Sequence, residues 1–289
     1  MGESILITGG RGMLAAAFAH TFESRGTAFT LLGKDELDIA DAAAVAAAFE
    51  KHKPTIVINC AAYTKVDHCE KDAALAHRVN ELGPRVLARA GKSAGARLVH
   101  FSTDYVFDGS LSRPLLPTDP IGPASAYGKS KRAGEEAILA ENPAGFLILR
   151  TAWLYGPGGP NFVATMVNAA RAGKTLRVVS DQVGTPTYTR DLAAAAMSLL
   201  DAKASGIFHA TNSGQTNWYE FTQHILRVFN IDYPVAPITT ADWFAIKPDS
   251  AIRPAYSVLD TSSLTSACDY EFRDWQAALS DYKAFSGLV

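Results

Sequence analysis

Short apolar segments alternate with helical segments rich in alanine along the first half of this 289-residue chain. Strands are predicted at residues 5–8, 28–32, 55–60, 97–101 and 146–150, and helices at residues 13–24, 42–51, 72–94 and 127–140. Continuously apolar strands that are joined by helices are typical of a parallel sheet covered on both faces. The alternation therefore predicts an α/β fold with a doubly wound parallel sheet.

The pattern is less regular after residue 155. Helices are predicted at residues 161–171, 190–200, 218–229 and 275–283, and strands at residues 176–179 and 206–210. We predict a first domain at residues 1–155, to which segments at about 176–212 return. Residues 156–175 and 213–289 are predicted to form a smaller, mainly C-terminal α/β lobe.

The composition argues against several classes of protein. Hydrophobic residues make up 48% of the chain, which supports a large core, and the net charge of -2 favours neither nucleic acid nor an anionic membrane. The three cysteines show no CxxC spacing, and no apolar run reaches the length of about 18 residues that spans a membrane. No signal peptide or metal-binding spacing is evident. We expect a cytoplasmic protein that binds no metal, membrane or nucleic acid.

A glycine-containing turn follows the first predicted strand. Gly9, Gly12 and Ala15 are spaced three residues apart, directly before the first predicted helix. Small residues at these positions allow a tight turn, close approach of a pyrophosphate to the backbone, and close packing of helix on strand. The N–H groups at the helix start then face the phosphates. The turn predicts a Rossmann-type domain that binds NAD(H) or NADP(H).

The residues after the second predicted strand bear on the choice of coenzyme. An acidic residue there binds a ribose hydroxyl of NAD, whereas Lys34 is suited to the 2′-phosphate of NADP. Asp35 and Glu36 lie close by and leave the choice open. Asp38 is suited to accept a hydrogen bond from the adenine amino group.

Tyr127 and Lys131 form the only Tyr-x-x-x-Lys pair in the chain. The i,i+4 spacing places both on one face of a helix, where the lysine cation favours the phenolate and lowers the tyrosine pKa. Such a tyrosine is suited to donate a proton to a carbonyl oxygen. Ser102 and Thr103 follow the fourth predicted strand at the edge where α/β sheets bind ligands, and either is suited to hold that oxygen.

Six segments resemble the extended short-chain dehydrogenase/reductase family and, within it, the dTDP-4-dehydrorhamnose reductases. They are NCAAYTKVD at 59–67, STDYVFDG at 102–109, YGKSK at 127–131, RTAWLY at 150–155, DQVGTPT at 181–187 and RPAYS at 253–257. The resemblance extends from residue 5 to about residue 260.

The resemblance implies three sets of site residues. Thr103, Tyr127 and Lys131 are the expected catalytic residues. The resemblance implies cofactor contacts from Gly9, Arg11, Gly12, Met13, Asp38, Ile39, Ala61, Ala62, Tyr63 and Lys131, with Asn80 supporting the backbone of the site. The cofactor residues that we expect also include Lys34, Asn80 and Tyr127. Sugar and diphosphate contacts are expected from Thr64, Val66, Asp104, Tyr105, Trp153 and Arg253. Some family members pair through a carboxylate-bound metal, but Ala16, Ala17 and Arg190 occupy those regions here. We therefore expect a monomer or weak homodimer.

Together these features predict an NAD(P)H-dependent oxidoreductase that reduces the 4-keto group of a dTDP-linked 6-deoxyhexose. Two alternatives share the same scaffold. A nucleotide-sugar epimerase would keep NAD tightly bound through turnover, and a regulatory subunit would bind the cofactor without catalysis.

Overall fold

The computed structural model describes residues 3–141 and 145–288. The strands are β1 Ile5–Thr8, β2 Phe29–Leu32, β3 Ile56–Asn59, β4 Arg97–Thr103, β5 Leu147–Thr151, β6 Leu154–Tyr155, β7 Leu176–Val179, β8 Val183–Gly184, β9 Thr187–Tyr188, β10 Gly206–His209, β11 Thr216–Asn217 and β12 Val235–Ile238. The α-helices are α1 Met13–Ser24, α2 Ala42–His52, α3 Val66–Lys71, α4 Ala73–His77, α5 Gly83–Ala94, α6 Ala126–Glu141, α7 Phe162–Arg171, α8 Thr189–Asp201, α9 Trp218–Val228, α10 Thr240–Ile246, α11 Ser262–Cys268 and α12 Trp275–Phe285.

Six parallel strands form the main sheet, in the order β10-β5-β4-β3-β1-β2. Strand β1 therefore lies next to the edge strand β2, and β3, β4, β5 and β10 follow in chain order on its other side. This arrangement places the carboxyl ends of β1, β3, β4 and β5 at one edge, where α/β sheets bind ligands. The predicted α/β fold with a doubly wound parallel sheet is confirmed.

Both faces of the sheet are covered, as the apolar strands require. Ile5 and Ile7 pack on the face that is covered by α1 and α8, where Phe18 is fully buried. Leu6 faces the opposite side, where it packs with residues of α2, α5 and α6, among them Leu87 and Ile138. Burial of alternate side chains on both faces accounts for the uninterrupted apolar strands in the sequence.

The single helix predicted at residues 72–94 is interrupted. Asp72 caps α4 by accepting a hydrogen bond from the N–H of Leu75, and a π-helical turn, Arg78–Leu82, separates α4 from α5. Pro84 lies at the start of α5 and has no N–H to donate to the carbonyl oxygen of Asn80. The prediction of one continuous α-helix at residues 72–94 is therefore wrong. The proline changes the hydrogen bonding locally, and the chain continues directly into α5.

The backbone of helix α6 lies in direct contact with the backbone of two neighbouring segments. A Cβ atom at Gly128 would lie 2.2 Å from the carbonyl oxygen of Tyr105, and one at Gly134 would lie 2.1 Å from that of Asn80. Any side chain would displace the helix at either position. The close contact fixes α6 against both the π-helical turn and the segment that follows β4.

The later part of the chain contributes to two regions. Helix α8 packs against α1, and β10 pairs with β5 in the main sheet. Strand β7 instead pairs with β12, and an aromatic core that includes Tyr155, Phe221 and Trp275 joins α7, α9 and α12. The division into two domains at the stated boundaries stays a prediction. Each helix among the described residues is too short or too polar to span a lipid bilayer.

Candidate active site

A cleft of about 530 Å³ lies at the carboxyl edge of the main sheet. Its walls come from the start of α1, the ends of β3, β4 and β5, helix α6 and the start of α9. Twelve predicted site residues line it: Arg11, Gly12, Met13, Ala62, Thr64, Val66, Thr103, Asp104, Tyr105, Tyr127, Lys131 and Trp153. The structure thus brings the three expected catalytic side chains together with the glycine-containing turn.

The turn after β1 has the geometry that a pyrophosphate requires. Gly9 adopts φ +73°, and a Cβ atom there would lie 2.7 Å from the backbone nitrogen of Ala61. Gly12 is the N-cap residue of α1, and no described side chain caps that helix. The first N–H groups of α1 are therefore available to phosphate oxygens. These residues fit a dinucleotide cofactor.

The predicted adenosine contacts lie outside the cleft lining. Asp38 accepts hydrogen bonds from Arg78 at 2.5 Å and from the N–H of Ala40 at 3.0 Å. The bond from Arg78 holds the pKa of Asp38 below its ordinary value. Ile39 is buried, and Lys34 is exposed after β2. Their roles with the cofactor stay predictions.

Asn80 links the π-helical turn by hydrogen bonds to the segment after β3 and to helix α6. Its amide oxygen accepts from the N–H of Tyr63 at 2.8 Å. Its amide nitrogen donates to the carbonyl oxygen of Tyr63 and to the hydroxyl of Ser130 on α6, each at 3.0 Å. Asn80 is buried and does not line the cleft. It therefore supports the segment after β3 and helix α6 from behind.

Tyr127 does not have the lowered pKa that the sequence predicted. Burial raises the pKa of its phenol above the ordinary value, and the neighbouring Thr103 hydroxyl opposes that rise. Lys131 instead donates to the carbonyl oxygen of Phe101 at 2.5 Å. In this state burial therefore outweighs the lowering of the Tyr127 pKa that the lysine cation was expected to cause, because the ammonium group is bonded to Phe101.

Lys131 is itself strongly affected by burial. It is 2% exposed, and burial lowers the pKa of its ammonium group to about 8, while the carboxylate of Glu135 opposes the change. His100 lies 3.4 Å from the Lys131 Nζ atom. Burial, and then the charge of Lys131, hold the pKa of His100 well below its ordinary value. The histidine therefore adds no second positive charge near neutral pH.

Asp104 is a buried carboxyl group beside the expected catalytic hydroxyl. Its Oδ1 atom accepts a hydrogen bond from Thr103 at 2.9 Å, and Thr103 in turn accepts from the N–H of Tyr105 at 3.2 Å. Burial raises the pKa of Asp104 to about 6, and the nearby hydroxyls of Ser257 and Thr103 oppose the rise. This group changes its charge just below neutral pH.

The expected substrate contacts divide into two groups. Thr64, Val66, Tyr105 and Trp153 line the cleft together with Asp104. Arg253 does not line it. The guanidinium group of Arg253 pairs with Asp67 at 2.8 Å and donates to the carbonyl oxygen of Ala251 at 3.0 Å.

Several cleft residues were not predicted from the sequence. Thr151 ends β5 as the register partner of Thr103, so the rule that identified the end of β4 would also have identified it. Trp218 lies at the start of an amphipathic helix, and its apolar character gave no sign of a ligand site. The remaining unpredicted lining residues are Leu14, Cys60, Phe101, Ala152, Leu154, Gly159, Pro160 and Thr189, whereas Ser102, the alternative to Thr103 in the sequence, also lines the cleft.

Comparison with known proteins gives consistent matches over nearly the whole chain. The family profile described as RmlD substrate binding domain matches residues 3–285. The chain is 45% identical over 281 residues to a dTDP-4-dehydrorhamnose reductase of Streptomyces griseus, covering 96% of this chain and 91% of the relative.

Two solved dTDP-4-dehydrorhamnose reductase structures resemble the fold. That from Clostridium acetobutylicum has a TM-score of 0.92 at 43% identity and covers 98% of this chain and 99% of that chain. That from Bacillus anthracis, in complex with NADP, has a TM-score of 0.94 at 33% identity and covers 99% of this chain and 100% of that chain.

Proposed function

Since this chain belongs to the RmlD substrate binding domain family, the family of the dTDP-4-dehydrorhamnose reductases, we propose that it reduces the 4-keto group of a dTDP-linked 6-deoxyhexulose with NAD(P)H. The family resemblance seen in the sequence motifs is confirmed. The observation that carries the proposal is the meeting of Thr103, Tyr127 and Lys131 in one cleft beside the uncapped start of α1.

Each residue of the cleft has a separate role in carbonyl reduction. The chemistry that NAD(P)H supplies when bound is a hydride for the carbonyl carbon. Tyr127 donates its proton to the carbonyl oxygen. Lys131 stabilises the resulting phenolate and holds the ribose of the cofactor. The N–H groups at the start of α1, with Gly9 and Gly12, hold the pyrophosphate.

Thr103 positions the carbonyl oxygen, and its hydroxyl has to change its hydrogen-bond partner to do so. A threonine hydroxyl carries one hydrogen, and in this structure Thr103 donates it to Asp104. The hydroxyl must therefore leave Asp104 to donate to the substrate.

Replacing Tyr127 with phenylalanine tests the proposed proton donor. We expect Tyr127→Phe to reduce turnover more than tenfold, since general acid catalysis contributes about 10²–10⁴-fold. The cofactor affinity should survive, because the pyrophosphate and ribose contacts remain. NADPH consumption against a panel of 4-keto nucleotide sugars measures turnover, and NADPH fluorescence titration measures affinity.

Tyr219→Phe is the matched control, since Tyr219 bonds to Gln223 and lies outside the cleft lining. A near wild-type rate in Tyr127→Phe would refute the proton-donor role. A wild-type protein that consumes NADPH with none of the sugars would refute the proposed substrate class.

We also propose that the protein acts in the cytoplasm as a monomer or weak homodimer without a metal bridge. Ala16 and Ala17 on α1 and Arg190 on α8 offer no carboxylate ligands at the predicted bridging regions. Sedimentation velocity with and without EDTA tests the assembly. A dimer that EDTA dissociates would contradict this assignment.

A further inference from the structure

Two indole rings stack face to face in the wall of the cleft. The ring centroids of Trp153 and Trp218 are 3.5 Å apart, and the ring planes differ by 12°. Both side chains line the cleft, although the sequence motifs indicated Trp153 alone. Trp218 therefore extends the apolar surface that Trp153 presents.

Trp153 adopts a backbone conformation that is unfavourable for a bulky side chain. Its φ is +48°, in the left-handed region. Such a conformation persists only where surrounding contacts hold it, and it is concentrated at functional sites. Trp218 covers one face of the indole, and Gly184 approaches so closely that a Cβ atom there would lie 2.7 Å from the Trp153 ring. The ring is therefore held from two sides.

Trp218 is supported independently of Trp153. It is the first residue of α9, whose N-cap Asn217 accepts a hydrogen bond from the N–H of Glu220 at 2.8 Å. The Phe162 ring lies 4.5 Å from the Trp218 ring, between centroids. The cap and the aromatic neighbour fix Trp218 in place, so it serves as the support on which Trp153 rests.

The indole pair lines the same cleft as Thr103 and Tyr127. Thr151 is the register partner of Thr103 and comes two residues before Trp153 in the chain. In a 4-ketohexose, C6 is two bonds away from the reacting carbon. A substituent at C6 therefore lies within two bonds of the carbon that Thr103 and Tyr127 act on, and the two indoles are the largest apolar groups among the residues that line the cleft.

We propose that Trp218, stacked on Trp153, is a specificity-determining residue that selects a methyl group over a hydroxymethyl group at C6 of the sugar. The inference rests on the proposed function, since it assumes a dTDP-linked hexulose in the cleft. A methyl group gains by burial against the indoles, whereas a hydroxymethyl group loses water there. A hydrophobic wall of this kind discriminates against an added hydroxyl by up to about a hundredfold.

The test compares two ligands that differ only at C6. Calorimetric titration in the presence of NADPH, which cannot oxidise them, gives the affinities of dTDP-linked 6-deoxy-L-mannose and dTDP-linked L-mannose. The variants are Trp218→Ser and Trp218→Phe. Trp243→Ser is the matched control, because Trp243 is half-buried outside the cleft lining and donates to Ser250. Far-ultraviolet circular dichroism and thermal melting show that each variant is folded.

The wild-type protein should bind the 6-deoxy ligand about tenfold or more tightly than its 6-hydroxy counterpart. Trp218→Ser should bring the two affinities to within about twofold, mainly by weakening the 6-deoxy ligand, and Trp218→Phe should fall between. Trp243→Ser should retain the wild-type ratio, and all variants should bind dTDP alone equally well.

An unchanged ratio in Trp218→Ser would overturn this inference and leave the proposed function intact. An equal loss of affinity for dTDP alone would also overturn it, because Trp218 would then act on the nucleotide. A wild-type protein that binds neither sugar nucleotide would overturn the proposed function together with the inference.

Discussion

Burial brings the pKa of Lys131 close to neutral pH. Its pKa is lowered to about 8, so the ammonium form predominates below that pH and the neutral amine above it. We expect kcat/KM to fall as the pH rises through about 8, because the neutral amine stabilises the Tyr127 phenolate less. Steady-state kinetics between pH 6 and pH 10, roughly the range in which such groups titrate, measure this limb.

Lys131→Arg tests whether titration of Lys131 causes the decline in kcat/KM near pH 8. An arginine stays protonated across the range, so the decline near pH 8 should disappear even if the overall rate is low. A decline that persists unchanged in the variant would show that another group titrates there.

Asp104 makes the folded protein less stable at neutral pH. Its folded pKa of about 6 lies above the ordinary value of 3.8, so the folded state retains this proton to higher pH than the unfolded chain does. Stability from this group is therefore greatest below pH 3.8 and falls as the pH rises to about 6. At 1.36 kcal/mol for each pH unit, the loss is about 3 kcal/mol as an upper limit.

Asp104→Asn should remove this loss. We expect the variant to gain stability relative to the wild type at pH 7.5 by up to about 3 kcal/mol, and to gain much less at pH 4.5. Urea unfolding at both pH values measures the difference. The exposed Asp232→Asn change is the control. A variant that is less stable than the wild type at pH 7.5 would show that the hydrogen bonds of the carboxylate outweigh its burial.

Among the elements, the π-helical turn Arg78–Leu82 is the one that organises the site. It carries Asn80, whose amide joins Tyr63 to Ser130 on the catalytic helix α6. Asn80→Ala leaves the N–H and the carbonyl of Tyr63 without these partners. We expect a loss of about 2–3 kcal/mol in the free energy of unfolding and a weaker affinity for NADPH. Urea unfolding and fluorescence titration measure the two effects.

Asn168→Ala is the matched control, since Asn168 is exposed on α7. It should leave both quantities within about 0.5 kcal/mol of the wild type. An Asn80→Ala protein that loses stability but binds NADPH normally would show that the turn supports the fold without shaping the site.

At the scale of the molecule, the cleft joins segments that are distant in the chain. Its lining includes Gly12 near the start and Trp218 more than two hundred residues later. A ligand that binds there connects both regions and should stabilise the whole folded chain. NADPH at one hundred times its Kd should add about 2.7 kcal/mol to the free energy of unfolding. Thermal melting measured with increasing NADPH, with ATP as control, tests this, and an unchanged Tm would contradict it.

The sequence predicted the main sheet well because its strands are buried on both faces and read as continuous apolar runs. It predicted the cleft residues that lie in motifs, among them Thr103 and Tyr127. It did not predict Trp218, because the apolar face of an amphipathic helix looks the same whether it meets a core or a ligand. It also gave the wrong direction for the Tyr127 pKa, since burial and the bond from Lys131 to Phe101 depend on the tertiary structure.

The backbone contacts of Gly128 and Gly134 have a consequence for how this scaffold can acquire new substrates. A helix whose backbone touches its neighbours directly cannot be reoriented by single substitutions, because any added side chain would collide with the neighbouring backbone. Laboratory evolution towards other sugars should therefore accumulate its accepted changes around Trp153 and Trp218, and leave the two glycines untouched. The carbonyl reduction would then be retained while the sugar specificity changes.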